Sequence, residues 1–294
     1  MAASVTLVLM AATGLAVWTL TRPETLSPAL ERFAVVPPDD APLSFGGLAT
    51  ALAVSPTGRY LVYVGPDPET SGPRLNLRSL DQLEVRTLRG SEGGLGPFFS
   101  PAGDSVGFTD LDGTTLSKVS IDGGPAVTLA ELPRAAFGAT WGLDDNIILG
   151  TVGGGLLQVP GEGGSVEELT APEPGGVNTS HTWPFRIPGH ETVLFVTSEA
   201  EPLRTGELAA LDLASGEIVS LGLSGFSPRY VDTGHLVYAA ADGTVRAVPF
   251  DVTTLTTSGS PVPLVEGVHV RLSGAAAFDI AANDGPSGLC ARHA

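Results

Sequence analysis

Few side chains in this sequence stand at spacings that do chemistry. Five histidines occur, His181, His190, His235, His269 and His293, and none belongs to an H-E-x-x-H motif or another close metal-ligand spacing. The aspartates of TDLDGT (109–114) alternate as in a calcium loop, but the full pattern with a glutamate at its twelfth position is absent, which leaves a hairpin turn. GLSGF (222–226) lacks the second glycine where a nucleophile elbow requires it. There is no Gly-rich phosphate loop leading to a strand lysine, no H-R-D-type loop and no D-F-G. Cys290 is the only cysteine, so neither an internal disulfide nor a thiolate metal cluster is available. NTS (178–180) fits a glycosylation sequon, a pattern that chance also produces. On these residues no catalytic group, no metal set and no cofactor is assigned.

The elements that would position any site are short strands. The 294 residues include 38 glycines and 24 prolines, with 43% hydrophobic and 16% charged residues. That composition breaks long helices and suits strands joined by turns. The net charge of −17, from 32 acidic and 15 basic residues, argues against nucleic acid as a partner.

One phrase recurs: AVSPTGRYLVYV, FFSPAGDSVGFT, TWGLDDNIILG, FRIPGHETVLFV, YVDTGHLVYAA and FDIAANDG. Aligned on a turn residue, the copies place Gly58, Gly103, Asp144, Gly189, Gly234 and Gly285 in one column, 41 to 51 residues apart. A second phrase of strand, tight turn and strand falls between them, as in VSIDGGPAVTL from Val119 and LDLASGEIVSL from Leu211. About four strands per repeat predict an all-β, six-bladed β-propeller, because one such blade cannot bury both faces alone.

The ends depart from the repeat. MAASVTLVLMAATGLAVWTLT carries no charge before Arg22. That predicts a transmembrane helix over 1–22, with a cleaved secretory signal as the alternative. Residues 23–46 read as an extended linker with one strand, Phe33–Val36, placed to close the ring. The propeller is assigned to 47–285. The sixth repeat supplies only Ala275–Ile280 as an inner strand, and PSGLCARHA abandons the pattern, so an incomplete last blade, a gapped ring and an irregular tail over 286–294 are expected.

Copies built on S-P-x-G before apolar strands, SPTGRYLVYV and SPAGDSVGFT, resemble the TolB-like or WD-like propeller repeat. Longer stretches, LRSLDQLEVRTLRGSEGGLGPFFSPAGDSVGF, SHTWPFRIPGHETVLF and PRYVDTGHLVYAAADGTVRAVPFD, are similar to the propeller that follows the membrane helix of certain large bacterial serine/threonine protein kinases. The similarity runs from Ala2 to about Gly285. It implies one membrane span, with the propeller outside the cytoplasm. Since the kinase motifs are missing, it implies only the sensor or scaffold half, and phosphoryl transfer is carried to no residue.

The expected function is a non-catalytic, membrane-tethered binding module for a protein or small-molecule ligand. The alternative is a propeller enzyme with its active site at the channel mouth. Candidates for that mouth are His181, Trp183, Arg229 and His235. Catalysis would require His181, Arg229 and His235 to converge on one pocket. Trp141 and Trp183, at the place where Phe98 and Phe99 sit in the earlier copy, are expected to pack between blades.

Overall fold

The computed structural model describes residues 36–44, 49–70, 72–199 and 206–281, and the backbone of 289–291. Two compact units are distinguished, Met1–Val36 and Pro37–Ala294, and every strand described belongs to the second. The expected transmembrane helix and, apart from Val36, the strand Phe33–Val36 lie outside the described residues. Among the described residues no helix is long and apolar enough to cross a membrane.

Antiparallel strands follow one another in sheets. The first holds β1 (Leu52–Val54), β2 (Tyr60–Pro66), β3 (Pro73–Ser79) and β4 (Val85–Thr87). The second holds β5 (Leu95–Phe99), β6 (Ser105–Thr109), β7 (Thr115–Ser120) and β8 (Val127–Glu131). β9 (Ala136–Trp141), β10 (Asn146–Thr151), β11 (Leu157–Pro160) and β12 (Glu167–Glu168) make the third. β13 (Ser180–Arg186), β14 (Thr192–Ser198), β15 (Gly206–Asp212) and β16 (Ile218–Ser224) make the fourth. In the fifth, β17 (Phe226–Val231) and β18 (His235–Ala239) lead to β19 (Val245–Asp251), whose outer edge is shared by β20 (Thr256–Thr257) and β21 (Val262–Val265). Last come β22 (Phe278–Ile280) and β23 (Leu289–Ala291).

The second strand of each complete sheet is a continuous apolar run rather than an alternating one. In β14, Val193, Leu194, Phe195 and Val196 are all buried. Such strands must be covered on both faces. The core clusters show by what. Val62 and Leu75 pack with Phe99 and Val106, joining sheets one and two. Leu116 packs with Ile147 across the next joint, Ile148 with Phe195 across the third, Leu208 with Leu236 across the fourth, and Val237 with Phe278 across the fifth. Each fully buried leucine or valine contributes roughly 1.5–3 kcal/mol, and every sheet depends on its neighbours for that burial.

The S-P-x-G phrase has a specific job. Ser55 Oγ accepts a hydrogen bond from the Tyr60 amide, and Ser100 Oγ accepts one from Ser105, each at 3.0 Å. The serine thus closes the turn, while Gly58 and Gly103, at φ +66° and +72°, supply its left-handed corner. In the third copy the left-handed residue is Asp145 (φ +61°), not Asp144. The Asp145 amide donates to the Gly142 carbonyl as that of Gly58 does to Ser55, but the Gly142 amide donates to Asn146 O where that of Ser55 donates to Tyr60 O, so this turn is one residue shorter beyond its corner.

The first strands form a cycle. β1 contacts β5, β5 contacts β9, β9 contacts β13, β13 contacts β17, β17 contacts β22, and β22 returns to β1. Part of the expected linker lies on the first sheet, where Tyr63 donates its hydroxyl to Ala41 O at 2.7 Å and the Ser44 amide donates to Val64 O. Burial pushes the Tyr63 phenol up to about 12. The tail is not irregular throughout: Leu289–Ala291 pairs with β22, Phe278 opposite Ala291. The exposed backbone edge of β22 is a template for a further strand, and an apolar Leu-Cys-Ala segment can take it.

Candidate functional site

Six inner strands surround a cavity of about 750 Å³. Counting back two residues from the closing turn, Ala53, Phe98, Thr140, Phe185, Arg229 and Asp279 occupy equivalent places and all line it. All these strands run the same way along the cavity, so position in the strand measures depth. Four steps separate Trp183 at one end from Ile187 at the turn end, ~13 Å at the usual strand rise.

Near the first of these ends, four inner strands carry an irregularity that the repeat text did not reveal. Gly96, Gly138, Trp183 and Ser227 have φ of +60°, +84°, +53° and +50°, and the pairing register shifts beside each of them. These are β-bulges, which re-aim the residues that follow. A positive φ is a genuine outlier for tryptophan and persists only where packing over-determines it. Trp183 is buried, sets its ring edge-on to Phe137, and donates Nε1–H to Ser273 O at 3.2 Å. It therefore ties the fourth sheet to the loop before β22. A Cβ on Gly138 would come within 2.8 Å of the Trp183 ring. The signal in the sequence is the G-P, G-A, W-P and S-P series two residues before each channel position.

Halfway along, Arg229 Nε donates to Asp279 Oδ1 at 2.7 Å, and the Val54 amide donates to Asp279 Oδ2 at 2.9 Å. The Arg229 guanidinium also lies 5.4 Å from the Phe185 ring centroid. At the turn end, Arg186 pairs with Asp144 Oδ2 and Glu191 Oε2, each at 3.0 Å. Burial raises the Asp144 carboxyl, but the Asn146 hydrogen bond and the Arg186 charge outweigh it and hold Asp144 below the ordinary range. Trp141 stands beside this group, 6.2 Å from Phe98, with its Nε1–H donated to Asp145 Oδ1. Trp141 and Trp183 thus each contact a ring of the preceding sheet.

Of the four candidates, Trp183 and Arg229 line the cavity. His181 does not: it is buried between the third and fourth sheets, its Nδ1 2.7 Å from Thr170 Oγ1 and its ring against Phe195. Burial holds its pKa down to about 4. His235 begins β18, with Nδ1 near Thr233 Oγ1 and O. An outward turn position and a sheet-to-sheet joint keep both imidazoles off the channel wall, so His181, Arg229 and His235 do not converge on one pocket. Sequence reasoning misses Asp279, Arg186, Asp144 and Glu191: Asp279 pairs with Arg229 and Asp144 with Arg186 across repeats, and Glu191 is drawn in through Arg186. TDLDGT is a turn: Asp110 accepts bonds from the Thr114 and Thr115 amides and from the Thr115 hydroxyl. Among the described residues no group of His, Cys, Asp and Glu could hold a metal ion.

A cycle of antiparallel sheets packed face to face around a central cavity is a β-propeller, and the solved structures that the chain resembles agree. It is similar to TolB from Acinetobacter baumannii, with 18% identity and a TM-score of 0.54, over 74% of this chain and 54% of that one. It is similar to the Cps50 (Swd1) β-propeller domain of Myceliophteria thermophila, with 15% identity and a TM-score of 0.54, over 72% and 68%. Oligogalacturonate lyase from Vibrio parahaemolyticus matches with 11% identity and a TM-score of 0.51, over 83% and 86%. The chain spans about half the length of the Acinetobacter protein. No protein-family model and no curated protein matches the sequence. These likenesses establish a TolB-like, WD-like propeller fold; with a lyase among them, the fold leaves the activity to be argued from the site.

Proposed function

We propose that this chain is a six-bladed β-propeller that works as a non-catalytic sensing or protein-interaction module, with its ligand seated in the central channel. The observation that carries this reading is the channel itself. It has the size of a ligand site, and its charged groups are committed to one another: Arg229 to Asp279, and Arg186 to Asp144 and Glu191. An acid–base or nucleophilic mechanism needs a group oriented by a partner yet free to move a proton. Apart from His190 at the rim, the channel wall offers aromatic faces and ion-paired groups instead, with Arg186 shared between two carboxylates.

The uncharged run before Arg22 supports tethering by a single membrane helix, and a propeller outside the cytoplasm rests on the resemblance alone. The resemblance to kinase-associated propellers supports a role as the sensor half of such an architecture. Thr57 is exposed at the channel rim, so Thr57→Trp fills the mouth without touching the core. A photo-crosslinker replacing Leu143, an exposed rim residue, should capture a discrete ligand in cells, and Thr57→Trp should abolish capture. The same crosslinker at Leu83, exposed on the turn between β3 and β4, should capture nothing specific. Capture at Leu83 alone, or robust substrate turnover by the purified chain, would contradict the reading.

A further inference from the structure

The two ends of the channel differ in chemistry, and the difference identifies a ligand class. Toward the bulges the wall is apolar or neutral: Phe98, Phe185 and Trp183, with the Arg229–Asp279 pair balanced in charge. At the turn end two carboxylates face one guanidinium. The Arg186 side chain is only 9% exposed, whereas those of Asp144 and Glu191 are 42% and 67% exposed. The cation is recessed and the anions project, so the mouth presents excess negative charge to an incoming ligand. Arg186 occupies Glu191 Oε2, which leaves Oε1 able to accept. The Trp141 ring beside them adds a face that attracts cations, and Lys118 Nζ already sits 5.8 Å from its centroid. The chain's net charge of −17 extends the same field outward.

We infer that the channel takes a basic peptide segment, one that inserts an apolar or aromatic side chain toward Phe185 and Trp183 while flanking arginine or lysine residues meet Asp144, Glu191 and Trp141 at the rim. This rests on the channel being the binding site. A volume of about 750 Å³ holds a few residues of peptide rather than a single side chain. An acidic segment would set its carboxylates against those of Asp144 and Glu191, and like charges so placed repel.

Three probes separate charge from insertion: acetyl-Arg-Phe-Arg-amide, acetyl-Gln-Phe-Gln-amide and acetyl-Glu-Phe-Glu-amide. Each is titrated into the full chain by calorimetry and followed by tryptophan emission. The arginine peptide should bind saturably, about ten-fold or more tighter than the glutamine peptide, with the glutamate peptide weakest. Glu191→Gln and Asp144→Asn should each narrow that preference several-fold. Val54→Trp, in the channel wall, should remove binding. Thr57→Trp, on the exposed rim, does the same work should the wall variant fail to fold. Equal or tighter binding of the glutamate peptide, no binding of the arginine peptide, or a preference untouched by Glu191→Gln and Asp144→Asn would overturn the inference. If a reversed preference is abolished by the tryptophan variants, only the cationic ligand class falls. If binding survives in folded Val54→Trp and Thr57→Trp, the channel reading falls with it.

Discussion

Neighbouring sheets are joined in two different ways in this molecule. Between the third and fourth sheets the joint is backbone: β10 pairs directly with β13, Thr151 opposite His181, and the two sheets become one ladder of hydrogen bonds. Between β22 and β1 the joint is a side chain. Asp279 takes the Val54 amide on one oxygen and Arg229 on the other, so one carboxylate binds strands from the fifth, sixth and first sheets. The residues joined by the first device lie 30 positions apart in sequence, those joined by Asp279 and Val54 lie 225 apart. A joint between sequence neighbours can form while little of the chain is ordered. A closing joint must wait for all the intervening sheets, and loop-closure entropy opposes it. Charge-assisted hydrogen bonds, roughly twice as strong as neutral ones, suit a joint made last and by few contacts.

The largest effect should come from breaking the closing device. Asp279→Ala leaves the Arg229 charge and the Val54 amide without their shared acceptor. Because the Arg229 and Asp279 side chains are only 16% and 12% exposed, the loss should be about 3 kcal/mol in urea unfolding. Asp279→Asn, which retains an acceptor for the amide, should cost about half of that. Equal and small losses in both variants would show that the seam is held by packing alone.

The backbone joint should instead reveal itself through pH. His181 is neutral in its burial site, with a pKa near 4 against an ordinary value of 6.5. Between those values the unfolded chain binds the proton that the folded chain refuses. Stability is therefore complete above pH 6.5 and falls as pH drops toward 4, by up to about 3 kcal/mol. His181→Gln should flatten the curve over that window. The smallest effect belongs to an exposed pair outside both joints. Lys118 and Glu162 meet at 3.1 Å with the glutamate 84% exposed, so Glu162→Ala should cost less than about 1 kcal/mol.

Much of the repeat was legible because it is local. The S-P-x-G turns, the apolar runs such as LVYV and TVLFV, and the D-G-G hairpin all announce themselves within a dozen residues. What escaped depends on neighbours far away in sequence. Nothing near Arg229 names Asp279 as its partner, although the two hold equivalent places in successive repeats. The bulge at Trp183 exists because Phe137 and Ser273 fix the indole, and W-P signals it only beside G-P and S-P in the equivalent places of other repeats. Asp145 takes the left-handed corner because it stands three residues after the turn opens, as Gly58 stands after Ser55, which an alignment placed on Asp144 hides. His181 is a candidate for the channel mouth by sequence, yet the pairing with β10 places it in the joint.

A channel exists only if the first strands close a ring around it, and two equivalent glycines allow a direct test. A Cβ on Gly103 would lie 3.8 Å from Ser55 Cβ, and one on Gly58 would lie 3.5 Å from Ala281 Cβ. Both fall in the range that a disulfide spans. In a Cys290→Ser background, Ser55→Cys with Gly103→Cys reports an ordinary joint, and Gly58→Cys with Ala281→Cys reports the closing one. Non-reducing electrophoresis after mild oxidation, with mass mapping of the linked peptides, should find both pairs crosslinked to similar extents. A control pair that crosslinks while the Gly58–Ala281 pair does not would mean that the ring is open at the seam, and the channel and its ligand would lose their enclosing wall.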